Sequence, residues 1–215
     1  MKRTIITAMM ATVVAAGTAH AGGSLFVDDS GVTPAGRCQL ESWLRAFSGG
    51  GRELTLSPAC SAGPLEFSLG LTRISRPGQS LLTPGLKWQL RDNSNGGFGL
   101  AVATTGIYQH GKLKQTDVYV APAWALGADQ QWQIFTNLGL SRDRGEKSKL
   151  AGGLGMQYSL SKAVDLVAER YIRKGRDATN EAGISFNFGS SASIDLLVGK
   201  NRTDQWFTFG YNVVF

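Results

Sequence analysis

The chain is poor in the residues that most often carry chemistry. Its 215 residues include two histidines and two cysteines. His20 falls in a segment read below as removable, and His110 lies in a Gln109-His110-Gly111-Lys112 stretch with no His-x-Ser pattern beside it. A hydrolase-type nucleophile would therefore lack its base, and a site built on His and Cys would lack its ligands. No catalytic residue, metal site or cofactor is expected. Charge is sparse too, at 18% of residues, and the formal excess of +6 falls to +4 without Lys2 and Arg3. That is too little to argue for a nucleic-acid partner. Long apolar runs are also missing. The longest, Ile5 to Ala16, falls short of the roughly 20 residues that a membrane-spanning helix needs.

That short run has a meaning of its own. Lys2 and Arg3 precede it, and Ala19-His20-Ala21 follows with small residues at cleavage spacing. The pattern predicts a signal peptide over 1–21 and a mature chain from Gly22, in preference to an N-terminal anchor. Residues 22–34, with Asp28-Asp29-Ser30, read as a flexible periplasmic leader in preference to a calcium site.

From 35 to 215 the dominant signal is alternation at period two, the spacing at which a strand sends successive side chains to opposite faces. Phe207, Phe209, Tyr211, Val213 and Phe215 share one face, while Thr208, Gly210, Asn212 and Val214 share the other. Leu65, Phe67, Leu69 and Leu71 stand against Glu66, Ser68, Gly70 and Thr72 in the same way. Twelve such segments are expected, near 37–47, 52–60, 65–74, 81–91, 98–108, 117–126, 131–141, 149–160, 164–173, 181–188, 193–199 and 206–215. Arg170 blurs the ninth by falling on the face of Leu166 and Ile172. Connections are expected to alternate between short turns, such as 61–64 and 161–163, and longer charged ones, such as 109–115, 142–148 and 174–180. A greasy face, a small or polar face and unequal connections predict an all-β, antiparallel, up-and-down transmembrane barrel of about twelve strands.

Facing assignments follow from parity. The inner face is expected to carry Glu41, Arg45, Glu53, Glu66, Lys87, Arg91, Lys149, Asp165, Glu169, Arg173 and Glu181, with both signs in similar number. These charges could form a filling salt-bridge network or a polar lining that guides a solute. Small inner residues, Gly99, Ala101, Ala103 and Thr105 with Ala151, Gly153 and Gly155, could leave a narrow passage or serve strand curvature. Aromatic residues near segment ends, among them Trp43, Trp88, Phe98, Tyr119, Trp124, Trp132, Tyr158, Tyr171 and Trp206, are expected to form girdles at headgroup depth. Basic connections carrying Lys112, Arg142, Arg144, Lys174, Arg176 and Arg202 suit the phosphates of lipopolysaccharide.

The two cysteines are expected to bridge. Ser48-Gly49-Gly50-Gly51 reads as a hairpin turn, and a turn centred on Gly49 opposes Leu44 to Leu54, Leu40 to Pro58 and Cys38 to Cys60. Opposed side chains are close enough for a disulfide, which the oxidising periplasm preserves.

Two resemblances add to this reading. The stretch Thr208-Phe209-Gly210-Tyr211-Asn212-Val213-Val214-Phe215 resembles the terminal recognition strand of outer-membrane barrels, with Thr208, Gly210, Val213 and Phe215 at its marked positions. That resemblance implies the barrel-assembly machinery as a partner and the bacterial outer membrane as the location. Separately, Val27-Asp28-Asp29-Ser30-Gly31-Val32-Thr33-Pro34-Ala35-Gly36, Gln39-Leu40-Glu41, Asn137 to Asp143 and Gly153 to Leu160 resemble the "MetA-pathway of phenol degradation" type of outer-membrane protein. This copy departs from it in carrying Arg37-Cys38. The resemblance implies a narrow passive channel or transporter, for small and hydrophobic or aromatic molecules. The other reading is a structural or surface-interaction barrel with a plugged lumen. A monomer bounded by outer-membrane lipid and lipopolysaccharide fits either.

Overall fold

The computed structural model describes residues 23–127 and 129–215, so the signal-peptide reading of 1–21 and the start at Gly22 lie outside the described residues. Twelve antiparallel strands form one closed barrel. They are β1 (Cys38–Phe47), β2 (Arg52–Ala62), β3 (Leu65–Ile74), β4 (Gln79–Arg91), β5 (Gly97–Gln109) and β6 (Lys112–Leu126), followed by β7 (Trp132–Asp143), β8 (Lys149–Ser161), β9 (Val164–Arg173), β10 (Thr179–Phe188), β11 (Ala192–Lys200) and β12 (Gln205–Val214). Each strand pairs with its sequence neighbours, and β1 closes on β12 from Gln39↔Val214 to Phe47↔Trp206. Closure leaves no strand edge unpaired, which a lipid environment requires because it offers backbone groups no water.

The wall is apolar outside and polar inside. Leu138, Leu150 and Val198 are 62%, 61% and 64% exposed on the outer face. Their neighbours of opposite parity, Asn137, Ser141 and Leu197, are buried within. Arg170 keeps the outward parity of Leu166 and Ile172 and donates to Asn180 Oδ1 at 2.8 Å. Both termini of the barrel domain lie at one rim, the near rim, where Cys38 and Phe215 exchange backbone hydrogen bonds of 3.0 and 2.8 Å. Cys38 stands opposite Cys60 with the expected register, Leu44↔Leu54 and Leu40↔Pro58 included, and the two are bridged.

Three expectations are corrected. First, connections alternate in length only in part, because 110–111 is short and 92–96 and 127–131 are long. Those at the near rim cover 63–64, 92–96, 127–131, 162–163 and 189–191, and those at the far rim cover 48–51, 75–78, 110–111, 144–148, 174–178 and 201–204. The far-rim strands keep pairing beyond the apolar band, where both faces are polar and the alternation fades. Gln109 pairs with Lys112 around His110 and Gly111, whose φ of 51° and 70° are those of a tight hairpin turn.

Second, the aromatic residues divide. Trp88, Phe98, Trp124, Trp132 and Tyr158 face outward near the near rim, with Phe98–Trp124 and Trp132–Tyr158 in ring contact. Trp43, Tyr119, Tyr171 and Trp206 point inward instead. Third, Arg91 leaves the lumen. A bulge sets Gln89 opposite Ala101 but Arg91 opposite Leu100, which inverts parity. Its guanidinium lies 5.6 Å from the outward Phe98 ring centre.

Candidate functional site

The main departure from expectation is inside the barrel. Residues 23–34 are not a leader outside the barrel; they run within the lumen. From the turn at Pro34, whose carbonyl accepts from Arg37 N at 2.9 Å, the chain enters at the near rim. Val27, Ser30 and Thr33 are each 1% exposed, as fully enclosed as a soluble core. The segment forms no strand, so its backbone groups need side-chain partners.

The wall supplies those partners from many strands. Glu66 of β3 accepts from Thr33 N and Thr33 Oγ1 at 2.7 and 2.6 Å. Gln89 of β4 donates to Ser30 O at 3.1 Å. Asn137 of β7 pairs both ways with Asp28, accepting from its N–H and donating to its carbonyl at 2.8 Å each. Glu169 of β9 takes the N–H groups of Phe26 and Val27 on its two oxygens, both at 2.8 Å. Arg45 of β1 donates to Ser24 O at 2.5 Å, and Asp195 of β11 accepts from Ser24 Oγ at 2.7 Å. Glu41 of β1 accepts from Gly23 N at 3.0 Å. Asp28 itself meets Lys87 Nζ at 2.7 Å and Tyr119 OH at 2.9 Å.

Apolar groups fix the same path. Val27 packs with Ala123 and Phe135, flanked by Leu25 and Tyr171. Phe26 lies under the Arg45 guanidinium at 4.2 Å and edge-on to Trp206 at 6.1 Å. Small wall residues make the room. A Cβ on Gly153 would overlap Val27, one on Gly99 would overlap Ser30, and one on Gly155 would overlap the Phe135 ring. These glycines, read from sequence as passage or curvature, accommodate the segment and the ring beside it.

The expected inner charges assemble as follows. Glu41, Glu66, Lys87 and Glu169 hold the segment, as above.

 Glu169 makes the two-pronged contact among them. Arg45 also pairs with Glu53 at 3.0 Å and lies 3.9 Å from Glu181, which accepts from Trp206 Nε1 and Thr208 Oγ1. Arg173 joins Asp143 at 2.6 Å at the far rim, where Lys149 contacts Glu146. Asp165 accepts from Gln157 and Asn187. The signs are not balanced. Asp28, Asp29, Asp117, Asp143 and Asp195 join the expected Glu41, Glu53, Glu66, Asp165, Glu169 and Glu181, making eleven inward carboxylates among the described residues. Four cations face them: Arg45, Lys87, Lys149 and Arg173. Sequence parity missed Asp143 because it sits in what reads as a loop, and Asp28 and Asp29 because nothing local marks their segment as internal.

The segment does not fill the lumen evenly. A cavity of about 300 Å³ remains between it and strands β1 to β6, lined by Trp43, Thr55, Ser57, Thr72, Thr83 and Thr105 among others. A second, of about 200 Å³, lies toward the far rim beside Asp117, Tyr119 and Tyr171.

A family profile described as "Uncharacterised conserved protein UCP029691" matches residues 9–215. The chain belongs to that family. That description does not name the phenol-degradation type that Val27 to Gly36 resembles. Among solved structures, the chain is similar to the KdgM porin in complex with disordered oligogalacturonate, at 12% identity and a TM-score of 0.71, over 82% of this chain and 99% of that one. The NanC porin matches at 8% identity and a TM-score of 0.66, over 81% and 98%. Omp33 of Acinetobacter baumannii matches at 8% and 0.54, over 83% and 98%. No curated protein matches. At these identities the shared property is the fold, that of outer-membrane porins.

Proposed function

We propose that this protein is a narrow passive channel of the bacterial outer membrane whose bore is set by its own N-terminal segment. The observation that carries this reading is the cavity left along β1 to β6 beside residues 23–33. Its barrel wall contributes the short hydroxyl side chains of Thr55, Ser57, Ser68, Thr72, Thr83 and Thr105 beside Glu41, Glu66 and Lys87, a polar lining that suits a water-filled path. Carboxylates outnumber cations among the inward groups, a balance that favours small cations over anions. The solute class is therefore small, polar and neutral or cationic. Hydroxyls and carboxylates argue against the hydrophobic or aromatic solute implied by the phenol-type resemblance. They argue equally against an anionic sugar polymer of the kind bound to the KdgM porin.

The rival reading, a structural barrel closed by its plug, draws on the same segment. Planar-bilayer recordings of the purified mature protein separate the two. The channel reading expects discrete conductance steps and a cation-selective reversal potential in a salt gradient. Confirmed insertion with no steps would favour the plug.

The remaining parts of the reading concern biogenesis. Cleavage after Ala21 yields the mature chain, and the barrel works as a monomer among outer-membrane lipids. The near rim, where both ends of the barrel meet, faces the periplasm. Thr208, Gly210, Val213 and Phe215 serve as the assembly signal; Phe215 is free for this role, being 63% exposed at the chain end. Deleting Phe215 should deplete heat-modifiable barrel from the outer-membrane fraction while export continues.

A further inference from the structure

The outer face carries a polar row near the far rim. Leu154 of β8, Arg170 of β9, Asn180 of β10, Lys200 of β11 and Gln205 of β12 are directly opposed, each to the next. All five have outward parity, so polar side chains from four adjacent strands stand where lipid is expected. The row is not simply beyond the membrane. Ile172, two residues further toward the far rim on β9, is 48% exposed on the same face, and Leu154 beside Arg170 is 56% exposed. Arg170 thus lies at the edge of the apolar band, with apolar neighbours alongside and outward of it.

A guanidinium at that depth needs a counter-charge. Among the described residues its hydrogen-bond partner is Asn180 Oδ1, which occupies one of five N–H donors. Asp177 and Asp204 lie in the connections next to β10 and β11, and among the described residues no ion pair joins Arg170 or Lys200 to a carboxylate. Arg170 and Lys200 flank Asn180 on either side, so their strands are separated by two strand spacings, about 10 Å. Two cations around an amide suit a headgroup that bears more than one phosphate, and arginine engages phosphate through two parallel N–H bonds. At the opposite rim the outward face carries Trp88, Phe98, Trp124, Trp132 and Tyr158, and its Arg91 lies against the Phe98 ring.

We propose that Arg170, Asn180 and Lys200 form a binding site on the barrel exterior for the phosphorylated headgroup of an outer-leaflet glycolipid, lipopolysaccharide. The site rests on the reading that the far rim faces the cell exterior.

The test is native mass spectrometry of the mature protein in neutral detergent, titrated with bisphosphorylated lipid A. Dephosphorylated lipid A and phosphatidylglycerol serve as comparison lipids. Wild-type protein should prefer bisphosphorylated lipid A at least tenfold over both. The double variant Arg170→Gln/Lys200→Gln should bind it at least tenfold more weakly, whereas Arg37→Gln/Arg91→Gln, at the near rim, should bind as wild type. Heat-modifiable migration checks that each variant is folded. Should the double variant not fold, Arg170→Lys decides, because it keeps the charge and loses the two-pronged geometry; about threefold weaker binding is expected. Wild-type affinity in Arg170→Gln/Lys200→Gln or in Arg170→Lys would overturn the proposal, as would equal binding of dephosphorylated lipid A or phosphatidylglycerol. The assay uses no conductance, so a barrel silent in bilayers would leave its outcome unaffected.

Discussion

The two sides of the lumen are built on different principles. Toward β7, β9 and β12 the inner segment is clamped: Val27 against Phe135, Phe26 against Trp206, and two backbone N–H groups on the carboxylate of Glu169. Toward β1 to β5 the contacts are polar tethers, Thr33 on Glu66 and Asp28 on Lys87, and the wall between them presents Thr55, Ser57, Ser68, Thr72 and Thr83 and leaves space. One side is packed like a protein interior and the other lined like a conduit. The lesson is that a barrel of this circumference need not be either open or filled. An internal strap, packed against one side and tethered to the other by polar contacts, divides it.

Breaking the clamp should have the largest effect. Glu169→Ala removes the acceptor of both Phe26 N and Val27 N. Each buried N–H left without an acceptor costs about 1–3 kcal/mol, so the pair is worth about 3 kcal/mol or more. Hydrogen exchange at the amides of residues 26–33 should quicken at least ~100-fold, since about 1.4 kcal/mol is tenfold. Unchanged exchange would mean that the packed side does not hold the segment.

Crowding the two sides should give unequal results. Gly153→Val places methyl groups where Val27 sits, and overpacking of this kind costs about 1–3 kcal/mol. Gly85→Ala, on the open side, meets the Ser68 hydroxyl, which can rotate away, and should cost under ~1 kcal/mol. Urea unfolding in detergent micelles compares them, and equal costs would erase the distinction.

Much of this architecture was legible from residue order, and the reason is physical. Lipid contact forces strict alternation, so the strands, the outward set around Leu138 and the Cys38–Cys60 register follow from parity and one glycine turn. Parity failed where a bulge inverted it, at Arg91, and where strands leave the lipid, at Gln109 to Gln115. Trp43, Tyr119, Tyr171 and Trp206 were misjudged because an aromatic ring near a strand end suits a headgroup or a packed lumen equally well. The inner segment was illegible for another reason. Its partners lie 18 to 171 residues away in sequence, and each is a side chain with an ordinary wall position of its own. Gly153 shows the problem in small: its lack of a side chain is explained only by Val27, which no local pattern brings near it.

The smallest effect on stability is expected on the open side. Thr72→Trp adds bulk to the cavity without touching the clamp, so stability should change by under ~1 kcal/mol. Single-channel conductance should nevertheless fall by half or more. Unaltered conductance would place the ion path elsewhere.

The central claim is that residues 23–33 set the bore. Comparing unit conductance of the mature chain with that of a chain lacking 23–33, both in planar bilayers, tests it most directly. The account predicts several-fold larger steps for the shortened chain, with weaker cation selectivity as Asp28 and Asp29 are lost. Equal unit conductance in the two proteins would contradict it.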